Sequence, residues 1–232
     1  MSDAEYPMRI NKYLASKGIA TRKDADKLIG MGLVRINGRP AVLGDKVQES
    51  DTVEAEHVRK HYRYFAYHKP VGVITHSPHY NEKDILHSIP LRSVFPVGRL
   101  DKRSSGLIIL TDDARVTERL LSPRFEHDKE YRVTTKETLP NNFKKRMESG
   151  VDIGGYVTKP CRIELRGDYE FLITLTEGKK HQVRRMCDVM KVSVDTLERV
   201  RVMEVRLGRL KPNEYRELEG PESARFLKAL GL

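Results

Sequence analysis

Residues 97–113 read VGRLDKRSSGLIILTDD, and this stretch limits the fold more than any other. Gly106-Leu107-Ile108-Ile109-Leu110 is an unbroken apolar run bounded by glycine and aspartate, the pattern of a buried strand. Arg99 and Asp101 stand at its mouth. Charged groups beside a buried strand are costly unless paired. Either they cap the fold from its edge, or their cost is connected with chemistry.

More strands surround this one. Segments 64–68, 72–75, 94–97, 131–135, 160–165, 170–175 and 200–207 carry strand signals, with 107–111 as the run itself. Helical spacing recurs at 114–121, 140–149, 181–190 and 222–230. Strands outnumber helices, and β-α-β units do not alternate steadily. The expectation is α+β: a mixed, mainly antiparallel domain over residues 61–232.

Residues 1–60 form a different unit. Ile10, Tyr13 and Leu14 recur at helical spacing, and Gly18 ends them. Thr21 is placed to cap a second helix, with Asp24 three residues on. Leu33 to Ile36 reads as a strand, Asn37-Gly38 as a tight turn, and short strands follow around Val42, Val47 and Val53. The segment 57–63, HVRKHYR, lacks apolar rhythm and reads as a linker. His57 and His61 have metal-ligand spacing but no third ligand nearby, so phosphate contact or a solvated linker fits them better.

Charge separates the two halves of the small unit. Arg9, Lys12, Lys17, Arg22, Lys23, Lys27, Arg35 and Arg39 face only Asp24 and Asp26, whereas residues 40–56 are acidic. With a net charge of +10 over 232 residues, this clustering predicts a polyanionic partner, most simply nucleic acid. No run of 18 apolar residues suggests a membrane span, and the polar N-terminus lacks a signal-peptide core. Cys161 and Cys187 form no disulfide framework, which suits a reducing cytoplasm. There is no phosphate-binding Gly-rich loop, metalloprotease helix or nucleophile elbow, so most metal- and cofactor-dependent classes lose their sequence support.

A carboxylate, some arginines and a tyrosine remain. Asp101 can be nucleophile, base or salt-bridge partner. In KKHQVRRMCDVM, Val183, Met186, Cys187 and Met190 make one helix face. Arg184 lies on its shoulder, placed to reach a partly buried carboxylate. Arg185 points nearer the opposite side, toward RNA phosphate, with His181 also on that basic stretch. Alternatively, both arginines are merely solvated. Tyr131 shares a strand face with Lys129 and Val133 and looks inward, as a core residue or as a base-stacking one.

These residues together resemble a known family. Gly98-Arg99-Leu100-Asp101 followed by Ser105-Gly106-Leu107 is similar to the catalytic motif of pseudouridine synthases. Lys129 to Val133 resembles their tyrosine motif, and EGKKHQVRRM, residues 177–186, their basic motif. RINKYLA, residues 9–15, through Asn37-Gly38 is similar to an S4-type RNA-binding domain. The combination resembles the small-subunit pseudouridine synthase A, or RsuA, family. GRLDK, HDKEY and VTKPC resemble its large-subunit branch of type F.

The resemblance implies isomerisation of a uridine in ribosomal RNA, with a transfer RNA as second candidate substrate. It implies no metal, cofactor or membrane, and a cytoplasmic, monomeric enzyme is expected. It makes Asp101 the catalytic residue, acting at ribose C1′ or through a glycal-type elimination. Arg184 becomes its basic partner, Tyr131 the residue stacked on the base, Arg99 a support for the flipped nucleotide, and Leu207 an apolar residue beneath the uracil. Two other classes stay open on residues alone. One is a noncatalytic ribosome-assembly factor. The other is a glycosidic-bond hydrolase drawing a second carboxylate from Asp112, Asp113 or Glu177.

Overall fold

The computed structural model describes residues 6–56, 62–75 and 83–232. His57 and His61 of the expected linker lie outside them. The chain divides into two compact units, Met1–His61 and Tyr62–Leu232.

The first unit contains β1 (Met8–Arg9), α1 (Ile10–Ser16), α2 (Arg22–Gly30), β2 (Val34–Ile36), β3 (Arg39–Pro40), β4 (Lys46–Val47) and β5 (Val53–Ala55). Thr21 Oγ1 accepts from Asp24 N at 3.2 Å and starts α2. Asn37 and Gly38 both have positive φ, the requirement of a tight two-residue hairpin between β2 and β3. Val42 lies outside any strand. Ile10, Leu14, Ala25, Ile29, Val34 and Val47 form the core. All seven of Arg9, Lys12, Lys17, Arg22, Lys23, Lys27 and Arg35 keep solvent exposure.

The second unit contains β6 (Tyr64–Lys69), α3 (Ile85–Ser88), β7 (Phe95–Val97), β8 (Ser105–Thr111), α4 (Arg115–Leu121), β9 (Lys129–Thr135), α5 (Phe143–Glu148), β10 (Arg162–Leu165), β11 (Glu170–Leu175), α6 (Gln182–Val189), β12 (Val194–Val202), β13 (Val205–Arg206), β14 (Tyr215–Glu217) and α7 (Gly220–Ala229). One sheet runs β10-β11-β9-β12-β8-β6-β14, with β7 on β8 and β13 on β12. Only the β8–β12 pairing is parallel among the described residues of this sheet. The fold is α+β.

The unbroken run has a plain cause. Successive side chains of β8 point to opposite faces, and both faces are covered. Leu107 and Ile109 join a cluster with Val116 of α4 and Phe226 of α7. Ile108 and Leu110 join Phe65, Tyr67, Ile85 and Leu100 on the other side. Each such burial stabilises by roughly 1.5–3 kcal/mol. The loop before β8 is therefore fixed to a rigid central strand.

Two expected strands differ. Residues 72–75 give a turn at Gly72, φ +88°, then a single parallel bridge from Ile74 to Asp84 in place of a strand, and Thr75 turns inward to bond Leu100. The expected strand 200–207 is instead the end of β12, a turn at positive-φ Met203, and the short return strand β13. β12 begins earlier, at Val194, but breaks register between Val194 and Thr196 and again between Arg199 and Arg201. Those bulges erase the period-two signal over its first half.

Candidate active site

Asp101 leads a turn in which its carbonyl accepts from Ser104 N at 3.0 Å. Several bonds hold the loop in place. Thr75 Oγ1 donates to Leu100 O and accepts from Leu100 N, at 2.9 and 3.1 Å. Gly72 N donates to Lys102 O at 2.8 Å. Arg184 Nη2 donates to Arg103 O at 3.0 Å, and Arg199 Nη1 to Arg99 O at 3.4 Å. A loop bonded this often keeps its carboxylate in one geometry.

Behind the loop, β8 and β12 approach unusually closely. A Cβ on Gly106 would lie 2.3 Å from Arg199 O, and φ there is +110°. Only glycine meets both conditions. This explains the glycine at the head of an otherwise bulky run.

Asp101 faces a cavity of about 520 Å³. Tyr131 and Arg99 line it, Leu175, Val183 and Leu197 give it apolar wall, Lys179 and Lys180 add positive charge, and Glu177 and His181 complete the polar lining. A second cavity of about 320 Å³ shares Arg99 and Tyr131 and adds Lys129, Arg199, Ile109 and Val202.

The contacts of the basic helix differ from those expected. Arg184 bonds the backbone of Arg103 and Val194, and makes no ion pair with Asp101 among the described residues. The side chain meeting the carboxylate is His181, whose Nε2 lies 3.5 Å from Asp101 Oδ1. His181 precedes α6 with φ +53°, a left-handed turn that swings its ring away from the helix path. Helical periodicity assumes regular backbone, so it assigns His181 to the RNA-facing surface and misses the turn. Arg184 thus reaches the loop through main chain. Arg185 is half-buried, its guanidinium leaning toward the turn at Gly154. Leu207 lies in the core beside Leu107 and Phe226, and lines neither cavity.

Two cations escape a reading of the sequence. Lys69 is fully buried, and its ammonium donates to Pro70 O and Val73 O at 2.8 and 2.7 Å. Burial pushes its pKa down to about 8, while attraction to Asp101 opposes the fall. Arg199 is 4% exposed and its Nε donates to Leu107 O at 2.7 Å. Lys69 ends a strand beside a proline, and Arg199 sits between two bulges. Neither pattern marks a buried cation.

The other carboxylates are bound to other partners, although Glu177 lines the same cavity as Asp101. Asp112 accepts from Arg63 N, and buried Asp113 from Tyr64 and Arg115. Glu177 accepts from Tyr156, Lys159 N and Gln182. Burial would raise the Glu177 pKa, but these hydrogen bonds outweigh it and hold it below the usual range. No second acid with free oxygens is supplied by these three, which removes the support for a two-carboxylate hydrolase. Among the described residues, no three His, Cys, Asp or Glu side chains are grouped to hold a metal. No described helix is long and apolar enough to cross a membrane.

The sequence model of the RNA pseudouridylate synthase family matches residues 61–188, which carry Asp101, Tyr131 and Arg184. The chain belongs to that family. Its members are isomerases, and so is this pseudouridine synthase. The S4 domain model matches residues 8–53, the small unit. The synthase is 36% identical to the dual-specificity RNA pseudouridine synthase RluF of Escherichia coli K12, across 96% of this chain and 79% of that one. It is 32% identical to the ribosomal large subunit pseudouridine synthase B of Bacillus subtilis 168, across 96% of both. A solved crystal structure of a pseudouridylate synthase superposes with a TM-score of 0.69 at 28% identity, covering 96% of this chain and 99% of that one.

Proposed function

We propose that this enzyme converts a uridine of large-subunit ribosomal RNA to pseudouridine in the cytoplasm, with Asp101 as nucleophile. Asp101 at the wall of a 520 Å³ cavity, on a loop bonded to several separate segments, carries the reading. The names of the Escherichia coli and Bacillus subtilis relatives support RNA and the large ribosomal subunit as substrate class. A transfer RNA is the second candidate.

The chemistry follows from the arrangement. A uridine leaves its helix and enters the cavity, its base against Tyr131. The Asp101 carboxylate attacks ribose C1′, and the bond from C1′ to N1 breaks with its electron pair leaving on uracil. The base turns, C5 attacks C1′, and Asp101 departs as carboxylate. Loss of the C5 proton and protonation at N1 complete an isomerisation without change of mass. The apolar wall of Leu175, Val183 and Leu197 keeps water from capturing the sugar while the base is detached. Lys69 and His181 are the basic groups beside Asp101: the Lys69 ammonium is attracted to it, and His181 Nε2 lies 3.5 Å from its Oδ1.

The test is Asp101→Asn. Asparagine keeps size and hydrogen bonding but cannot attack. The folded variant, checked by thermal melting, is incubated with unmodified ribosomal RNA, and pseudouridine is mapped by carbodiimide-dependent primer-extension stops. No new stop is expected. A stop appearing at the wild-type rate would sink the assignment. Deuterium at ribose C2′ separates direct attack from elimination: a large isotope effect on isomerisation in the wild type would replace the nucleophilic step with proton removal by Asp101.

A further inference from the structure

The second cavity is unlike the first. Three cationic side chains line it, Arg99, Lys129 and Arg199, and no acidic residue does. The remaining wall is mostly apolar, including Val97, Ile109, Leu120, Leu121 and Val202. None of the three cations forms an ion pair within 4 Å among the described residues. Arg199 is nearly inaccessible, Lys129 half-buried, and Arg99 exposed at the rim. Asp128 attracts Lys129 without forming an ion pair with it, and buried charge lacking a close partner is costly, so the cavity suits an anion.

The wiring supports this. The Nε and Nη1 of Arg199 are fixed on the carbonyls of Leu107 and Arg99, so the guanidinium is held rigid without being neutralised. The Lys129 ammonium donates to His127 O at 2.9 Å, which engages one of its three donors. Lys129 and Tyr131 stand two residues apart on β9 and share a face, while Arg199 pairs with Tyr131 across the strands. Tyr131 and Arg99 line both cavities. A ligand on one side of this partition is therefore one side-chain layer from a ligand on the other.

We propose that the second cavity is a phosphate subsite, in which Lys129, Arg199 and Arg99 hold a phosphodiester flanking the uridine in the first. This rests on the reading of the enzyme as an RNA isomerase, since RNA places a phosphate on each side of every nucleotide. A rigid guanidinium and an ammonium in one cleft match phosphate oxygens in charge and donor geometry. The subsite fixes the strand while the base is detached, so that C5 meets the same C1′.

Two measurements test it. In the first, protein with labelled Ile, Leu and Val methyl groups is titrated with inorganic phosphate. Saturable shifts are expected at Val97, Ile109, Leu120, Leu121 and Val202, and their loss in Lys129→Met. Shifts confined to Leu175, Val183 and Leu197, or unchanged in Lys129→Met, would overturn the subsite. This arm needs no turnover, so it separates failure of the subsite from failure of the isomerase reading. In the second, ribosomal RNA fragments carry single uncharged methylphosphonate linkages around the mapped uridine. One linkage should weaken wild-type binding and have a smaller effect in Lys129→Met, where Arg199 and Arg99 remain. The variant's plot of log affinity against log salt should be shallower by about 0.7, the increment for one phosphate on a single strand. Equal sensitivity of both proteins at every linkage would reject the proposal. Lys129→Arg, which keeps the charge, should restore the wild-type response.

Discussion

The two units use positive charge in opposite ways. In the small unit, Arg9, Lys12, Lys17, Arg22, Lys23, Lys27 and Arg35 project from two short helices and a hairpin toward solvent. In the large unit, Arg99, Lys179 and Lys180 are exposed at the site, but three further cations are packed into the protein: Lys69 fully, Arg199 almost fully, Lys129 partly. An exposed cation is screened and hydrated, and contributes to polyanion binding with little regard to position. A buried cation acts at short range in low dielectric, where its position decides which group it stabilises. The small unit suits general affinity for RNA, and the large unit suits a local potential at one carboxylate and one cleft. The difference depends on backbone rigidity. The small unit has strands of two or three residues, whereas β8 spans seven and is covered on both faces.

The strongest way to break this contrast is to disturb the rigid support. Gly106→Ala forces a Cβ against the Arg199 backbone at a φ that L-residues avoid. A loss of about 3 kcal/mol or more in urea unfolding is expected, with isomerisation lost as β8 and β12 separate. The equivalent change at Gly30, where a Cβ would meet nothing within 4 Å, should alter stability by less than about 1 kcal/mol.

Next in size is the positioning role of Arg184. Arg184→Met removes the bond to Arg103 O and frees the loop carrying Asp101. Single-turnover rate at saturating RNA should fall about 10- to 100-fold, as displacement of a reacting group does, while RNA affinity changes little. Arg185→Met should affect affinity more than rate. Equal rate losses in the two variants would reject the separation.

A smaller effect, with a defined sign, comes from Lys69. Its folded pKa is about 8, below the ordinary 10.5. Below pH 8 the folded and unfolded chains both hold the proton. Between about 8 and 10.5 only the unfolded chain binds it, so unfolding takes up a proton and stability rises with pH. Relative to Lys69→Met, wild-type stability should therefore improve across that window. Isomerisation should decline above pH 8 in the wild type, as Asp101 loses a neighbouring cation, and this limb should be missing from the variant. A pH–rate profile and urea titrations at several pH values check both.

The smallest effect per residue lies on the small unit. Neutralising Lys12, Arg22 or Lys23 singly to Gln should weaken RNA binding a few-fold. The salt slope should fall by about 0.7–0.9 for each phosphate that is no longer neutralised. Turnover of bound RNA should be unchanged. A rate change at saturation would show that these cations are more than a general grip.

Much is legible in the sequence because it rests on local physics. The buried strand follows from the run Gly106 to Leu110, the α2 cap from Thr21 and Asp24, and the first hairpin from Asn37-Gly38. Each is set by neighbours a few residues apart. The helix face of Val183, Met186 and Cys187 is equally local, and all three are buried. The motif around Asp101 marks the candidate loop by resemblance. The tertiary structure decides which groups surround it. It sets His181 against Asp101 through a left-handed residue, sends Arg184 to a carbonyl 81 positions away, and draws Lys69 and Arg199 inside. It also places Leu207 in the core and Leu197 at the cavity wall. Helix and strand periods report which face a side chain occupies along its own element. They carry no information about which distant element covers that face, and that alone determines whether a cation is solvated or buried beside a carboxylate.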